Sequence, residues 1–219
     1  MAAPAPTLAY GSLAEQAYHV LRDRLVMLDI PPGAPINEGR LASDLGIGRT
    51  PIRESLKKLE LDHLVVSFPR RGTFATQVDI TDLAAISEMR QVLEPLAARR
   101  AALMARPQVR SELSAKAEQI ASMGEEPEDK RPLMEYDIDV HRLIYRAAEN
   151  PHLEETLVRL DNLATRIWCL VLDRLPSVSQ HIREHVALLK AIVDRDADRA
   201  AELAEIHVTH FETTIRAVL

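Results

Sequence analysis

The sequence predicts a mainly α-helical protein in two parts. Three short helices and one β-hairpin come first, followed by an all-α antiparallel bundle of six to seven helices. Three observations carry this. Apolar residues recur every three to four positions along most of the chain. Only "LVVSF" and "TFATQV", separated by the turn "PRRG", have strand composition. Aromatic residues are scarce at 4%, while Ala and Leu are plentiful, which suits helix packed on helix.

Composition bounds the function. The chain has 219 residues, of which 47% are hydrophobic and 27% charged, enough to bury a core. No apolar run approaches the ~18 residues of a membrane span. The start lacks a basic segment followed by an apolar one, so it is no secretory signal. Residues 1–9, rich in Ala and Pro, read as a flexible tail. The single cysteine, Cys169, rules out an internal disulfide and fits a reducing cytoplasm. It stands in the apolar run "RIWCLVL" and reads as a core residue. The net charge is -6, but unevenly spread. Residues 1–76 hold nine Lys and Arg against eight Asp and Glu, and residues 77–219 hold eighteen against twenty-five. That asymmetry points to two domains with two tasks, 10–77 and 78–219.

The first helix opens at "SLAE", where Ser12 can cap and Glu15 can complete a capping box. Its apolar face runs Ala17, Leu21, Leu25, Leu28. "DIPPGAPIN" stops it, because Pro31 and Pro32 cannot continue a helix. Asn37 can cap a short second helix, "EGRLASDL", and Gly46 stands where a left-handed C-terminal residue belongs. The third helix follows at once, with Pro51 in its first turn. A helix, a brief glycine-containing turn and a second helix make a helix-turn-helix, and the hairpin after it makes a wing. Six helical segments follow, at roughly 79–105, 107–124, 131–149, 151–174, 177–194 and 196–218, each uncertain by about three residues. Pro107, Asn150, Pro151, Pro176 and Asp196 supply the breaks and caps. Pro95 falls inside the first of these helices and should kink it.

The third helix carries the first functional pattern. Arg49, Arg53 and Lys57 recur every four residues and form a basic ridge, opposite an apolar stripe of Ile52, Leu56 and Leu59. Alone, such a ridge also fits a solvated surface. Its context decides: "LASDLGIGRTPIRESLKKLELDHLV" followed by "PRRGTFA" resembles the GntR family of transcription regulators over about residues 10 to 76. Gly48 departs from that pattern, which usually has Ser or Thr there. The resemblance implies a recognition helix in the major groove of double-stranded DNA. Arg49 and Arg53 would face bases, since an arginine fork matches guanine O6 and N7. Thr50 would touch phosphate or a thymine methyl, and Lys57 a phosphate. Arg71 and Gly72 at the hairpin tip would probe the minor groove, and Arg40 would anchor a phosphate.

The second pattern is "YDIDVHRLIYRAAENPHL". Asp137 and His141 leave one helix face. His185 and His207 lie on the next-to-last and last helices, about ten and eleven residues from the turn between them, so antiparallel pairing brings them level. Three imidazoles and a carboxylate make a plausible divalent-metal site. This set resembles the FCD domain, the effector-binding half of the FadR-type GntR subfamily, whose metal ligands fall on Asp137, His141, His185 and His207. By the same resemblance Arg90 would face an effector carboxylate. A salt bridge to Glu94, four residues on, is the rival reading. Asn150 reads as a helix cap. His181 and His210, one turn from the candidate ligands, read as surface or outer positions.

The resemblance implies a homodimer on a pseudo-palindromic operator, its affinity set by a small organic acid bound at or near a divalent metal. Zinc fits best, with nickel, manganese or iron as alternatives. No nucleophile or general base accompanies the four ligands, so the chain reads as a regulator and not an enzyme. A metal-dependent hydrolase and a purely structural metal are the competing readings.

Overall fold

Ser12 starts the first helix as expected: its Oγ accepts from Glu15 N at 3.1 Å. The reciprocal half of the box is displaced by one residue, because Glu15 Oε2 accepts from Gly11 N. This computed structural model describes residues 11–124 and 126–219. The tail expected at 1–9 lies outside them. The chain divides into two units between Val78 and Asp79.

In the first unit, helix α1 (Leu13–Val26) packs on α3 (Arg49–Leu61), with α2 (Glu38–Leu45) beside α3. Ala17, Leu21 and Leu25 meet Ile52, Leu56 and Leu59 in a core with almost no solvent access. Asn37 caps α2 by accepting from Arg40 N at 2.9 Å, and Gly46 closes it at φ 64°. Gly48 begins α3 without a side-chain cap. The wing is β2 (Val65–Phe68) against β3 (Gly72–Ala75), antiparallel, with Val65 opposite Ala75 and Phe68 opposite Gly72. A third strand, β1 (Pro35–Ile36), completes the sheet on the far side of β3. Two residues carry no periodicity, and the sequence reading saw only a break there.

The second unit opens with a 3₁₀ turn, Ile80–Asp82, then α4 (Leu83–Met104), α5 (Pro107–Ala121), α6 (Arg131–Ala147), α7 (Pro151–Val171), α8 (Val178–Val193) and α9 (Ala197–Arg216). The expected helix end at 174 falls short, since Leu172–Arg174 tightens to 3₁₀. Helix α4 runs unbroken through Pro95. It lies along α9, and small buried residues on both (Ala97, Ala98, Ala101; Ala200, Ala201, Ala204) let the backbones approach closely. The start of α8 is tied down by Glu126, which accepts from Ser177 Oγ, Val178 N and Ser179 Oγ. Arg183 on α8 donates to the Met123 and Gly124 carbonyls. Helices α6, α8 and α9 are thereby held where their polar side chains can converge.

Candidate nucleic-acid face and metal centre

Arg49, Thr50, Arg53 and Lys57 are all exposed along one edge of α3, opposite its buried stripe. Arg53 Nε donates to Glu38 Oε2 at 2.7 Å, an exposed pair that joins α3 to the start of α2. Arg40 is exposed beside Asp44, 3.7 Å away. At the wing tip, Arg71 lies 5.8 Å from the Phe68 ring, and Gly72 holds φ 92°, a backbone region that disfavours any side chain. Arg49 and Gly72 line one shallow hollow with Asn37, Glu38 and Thr73. The recognition ridge and the wing therefore share a surface.

The second unit encloses the other candidate site. Asp137 and His141 come from α6, His185 from α8 and His207 from α9, each at most 4% exposed. One donor atom from each can be chosen so that all lie within 4.8 Å of one another. His141 Nε2 stands 3.3 Å from both His185 Nε2 and His207 Nε2. Donors ~2.0–2.2 Å from a shared ion in a tetrahedron are ~3.3–3.6 Å apart, so the two histidine spacings fit, while Asp137 Oδ2 stands farther, 3.9 Å from His141 Nε2.

The other ring nitrogens point to acceptors. His141 Nδ1 meets Tyr145 Oη at 3.1 Å, His185 Nδ1 meets the Ile182 carbonyl at 3.2 Å, and His207 Nδ1 meets Glu184 Oε2 at 3.0 Å. With a proton on each Nδ1, all three Nε2 lone pairs face one point, as metal-ligating histidines are arranged. Asp137 Oδ1 is buried with no hydrogen-bond partner.

Charge agrees with the fit. Arg90, Glu94, Asp137 and Asp161 are buried together, three carboxyl groups against one guanidinium. Three carboxylates against the Arg90 guanidinium and an imidazolium at His141 leave a net negative charge, which a divalent cation taking the place of the His141 proton would balance. Burial pushes the Asp137 pKa up to about 6, against the charge of His141. Burial alone would lower His141, but the charges of Glu94 and Asp161 outweigh it and raise it to about 9. Burial and neighbouring rings hold His185 and His207 well below the ordinary value. A cation held there would reverse the local field at His141, and its uptake would release a proton.

Arg90 is on α4 and makes the pair with Glu94: Nε donates to Oε1 at 2.6 Å, and Nη2 lies 3.5 Å from Asp161 Oδ1. Its guanidinium also covers the Phe211 ring at 4.9 Å. Glu94 takes a second hydrogen bond from Tyr145 Oη at 3.0 Å and lies 3.5 Å from His141 Nδ1. Glu94, Tyr145 and Asp161 thus support the site, and sequence reasoning missed that role. Tyr145 stands four residues after His141, which was the one local signal. Of the two readings for His181, the outer position holds and the surface one does not: it is buried against Trp168 at 4.3 Å and stacks on His207 at 4.2 Å. His210 is a surface residue, 47% exposed.

An exposed basic helix beside a wing, joined to a bundle enclosing a polar cluster, defines a DNA-binding regulator with a separate helical sensing domain. Comparison with known proteins agrees. Residues 85–210 match the FCD domain, and residues 13–75 match the bacterial regulatory proteins of the gntR family. The chain belongs to the GntR family of transcription regulators, in the subfamily with a C-terminal FCD domain, and is not an enzyme. It is 25% identical over 206 residues to the HTH-type transcriptional repressor RspR of Escherichia coli strain K12, covering 93% of this chain and 89% of that one. It is 28% identical over 193 residues to the Nta operon transcriptional regulator of Aminobacter aminovorans, covering 85% and 87%. The solved structure of E. coli McbR/YncC shares the fold, with a TM-score of 0.81 at 22% identity over 95% of this chain and 99% of that one.

Proposed function

We propose that this regulator binds a pseudo-palindromic operator as a homodimer, with an affinity set by a small organic acid at or near a divalent metal held by Asp137, His141, His185 and His207. The observation that carries the metal is the approach of His185 Nε2 and His207 Nε2 to within 3.3 Å of His141 Nε2, with Asp137 buried beside them and each Nδ1 facing an acceptor. When bound, the ion supplies a Lewis-acidic point for a carboxylate. Arg90 can meet that carboxylate only by giving up its looser contact to Asp161. On the DNA side, Arg49, Thr50, Arg53 and Lys57 enter the major groove, Arg71 and Gly72 the minor groove, and Arg40 holds a phosphate. The exposed stripe Met89, Val92, Leu96 and Leu103 on α4 favours the homodimer, because an apolar row at helical spacing lacks cover in the single chain. DNA as partner places the protein in the cytoplasm.

One observation favours a second reading, in which the metal only fixes the bundle: the four donors are almost wholly shielded from solvent. Metal analysis beside His141→Ala, with thermal melts against a panel of small carboxylic acids, separates the two. About one ion per chain, held at least tenfold more weakly in the variant, and a melt shift by an acid only with metal present are expected. An ion that raises the melt while no acid moves it further supports the structural reading. No ion in the wild type overturns both.

A further inference from the structure

A second group of donors adjoins the proposed metal centre. His181 and Glu184 on α8 and His207 on α9 can also bring one donor atom each within 4.8 Å of one another. Glu184 Oε2 lies 3.0 Å from His207 Nδ1 and 3.7 Å from His181 Nδ1, and its Oε1 meets His210 Nδ1. If Glu184 served only to orient His207, one hydrogen bond would suffice. It instead gathers three imidazoles. His181 adds a separate observation: its Nε2 is buried without a hydrogen-bond partner, 3.9 Å from the equally unpartnered Oδ1 of Asp137. The stacked rings of His181 and His207 each turn one nitrogen towards Glu184 and the other towards the inner group. His210 is the solvent-facing member, while His181 and His207 are buried.

We propose that His181, Glu184 and His207, reached from solvent past His210, form a second divalent-cation site that loads the inner one. The loading step rests on the metal reading above; the outer site stands on its own donors. Its two or three imidazoles and one carboxylate select borderline transition-metal cations over calcium or magnesium. The two sites share His207 and exclude each other. A neutral imidazole has one free lone pair, so the ring serves the outer ion through Nδ1 or the inner ion through Nε2. As the ion passes inward, the ring proton passes from Nε2 to Nδ1, where Glu184 accepts its hydrogen bond. The wild-type chain therefore holds one ion in total.

Cobalt(II) added to the metal-stripped full chain tests this through its visible absorption, with folding of each variant checked by circular dichroism. The wild type should bind one ion. His141→Ala should still bind one, about tenfold or more weakly and with altered bands. His141→Ala/His181→Ala should bind none in the same range. His210→Ala supplies a variant at the surface. It should slow both uptake and loss to a chelator by one common factor and leave affinity within about twofold, because it alters the route and not the end state. Folded His141→Ala without cobalt, cobalt bound equally with and without His181, or wild-type rates in His210→Ala would each overturn the outer site. If His141→Ala does not fold, the His210→Ala rates decide. A wild type that binds no cobalt overturns the inner site; a wild type that binds one ion while His141→Ala binds none overturns only the outer one.

Discussion

Arg53 is already paired with Glu38, so on the proposed reading it must exchange that partner for DNA, and the size of the pair decides what each substitution does. An exposed ion pair contributes ~0.2–1 kcal/mol. A bidentate arginine contact to guanine discriminates by ~1–3 kcal/mol. The exchange therefore favours DNA, and Glu38 acts as a weak competitor for the guanidinium. Arg53→Ala should weaken operator binding by ~1–3 kcal/mol and relax specificity at one base position, whereas Glu38→Gln should tighten it by up to ~1 kcal/mol. Lys57→Ala should weaken all sequences alike and lower the salt slope by about one. Anisotropy titrations on operator and scrambled DNA at several salt concentrations read all three, and a sequence-independent loss in Arg53→Ala would sink the base-contact assignment. These exposed side chains were legible in the sequence because a ridge every four residues needs only one helix. The supports of the metal centre were not. Glu94 reaches His141 across 47 positions of chain, and Asp161, in the mixed run "VRLDNLA" of α7, meets Arg90 on α4. For His181 the sequence left surface and outer positions open, because spacing fixes a helix face but not what covers it; Trp168 and Phe211 do.

Single elements were legible wherever a cap marks them. Ser12, Asn37, Gly46, Asn150 and Asp196 all stand at the helix ends where their chemistry places them. The anchor of α8 was not foreseen, because Glu126 reaches Ser177 across 51 positions. Partial burial works against the Glu126 charge, but hydrogen bonds from Ser177, Val178 and Ser179 win and bring its pKa from the ordinary 4.5 to about 2. A carboxyl whose folded pKa is depressed adds stability above its unfolded value, and that stability is lost as pH falls through the folded one. Glu126→Gln should therefore melt below the wild type at neutral pH, with the gap closing between pH 4.5 and about 2. Because α8 carries His181, Glu184 and His185, the same variant should also bind metal less tightly. Melts across that pH range check the first point, and a gap that stays constant would mean the hydrogen bonds do not depend on the charge.

The molecule as a whole is two units whose tasks can be separated by substitution. Val92 and Leu103 on α4, 67% and 61% exposed, share a helix with Arg90 and Glu94, which are buried. A charge at Val92 should hence break the dimer while leaving metal content unchanged. Sedimentation should show a monomer, and operator affinity should fall steeply because two linked half-site contacts become independent ones. A dimer that survives Val92→Glu would move the interface elsewhere.

Metal removal tests a different level of the same unit. The four donors come from α6, α8 and α9, so one ion held there would tie three helices that are otherwise joined by packing. An ion that binds only the folded chain adds RT ln(1 + [L]/Kd), ~2.7 kcal/mol at a hundredfold excess over Kd. A domain of this size gains roughly 2–4 °C in Tm per kcal/mol, so chelation should lower Tm by roughly 5–10 °C. The shift should grow with the logarithm of added metal and shrink in His141→Ala, where the ion is held more weakly. Arg53→Ala should keep the shift in full, since every donor lies beyond Asp79 and none lies in the DNA-binding unit. A shift that persists undiminished in His141→Ala would mean that His141 is not a ligand, and one that disappears in Arg53→Ala would mean the two units unfold as one.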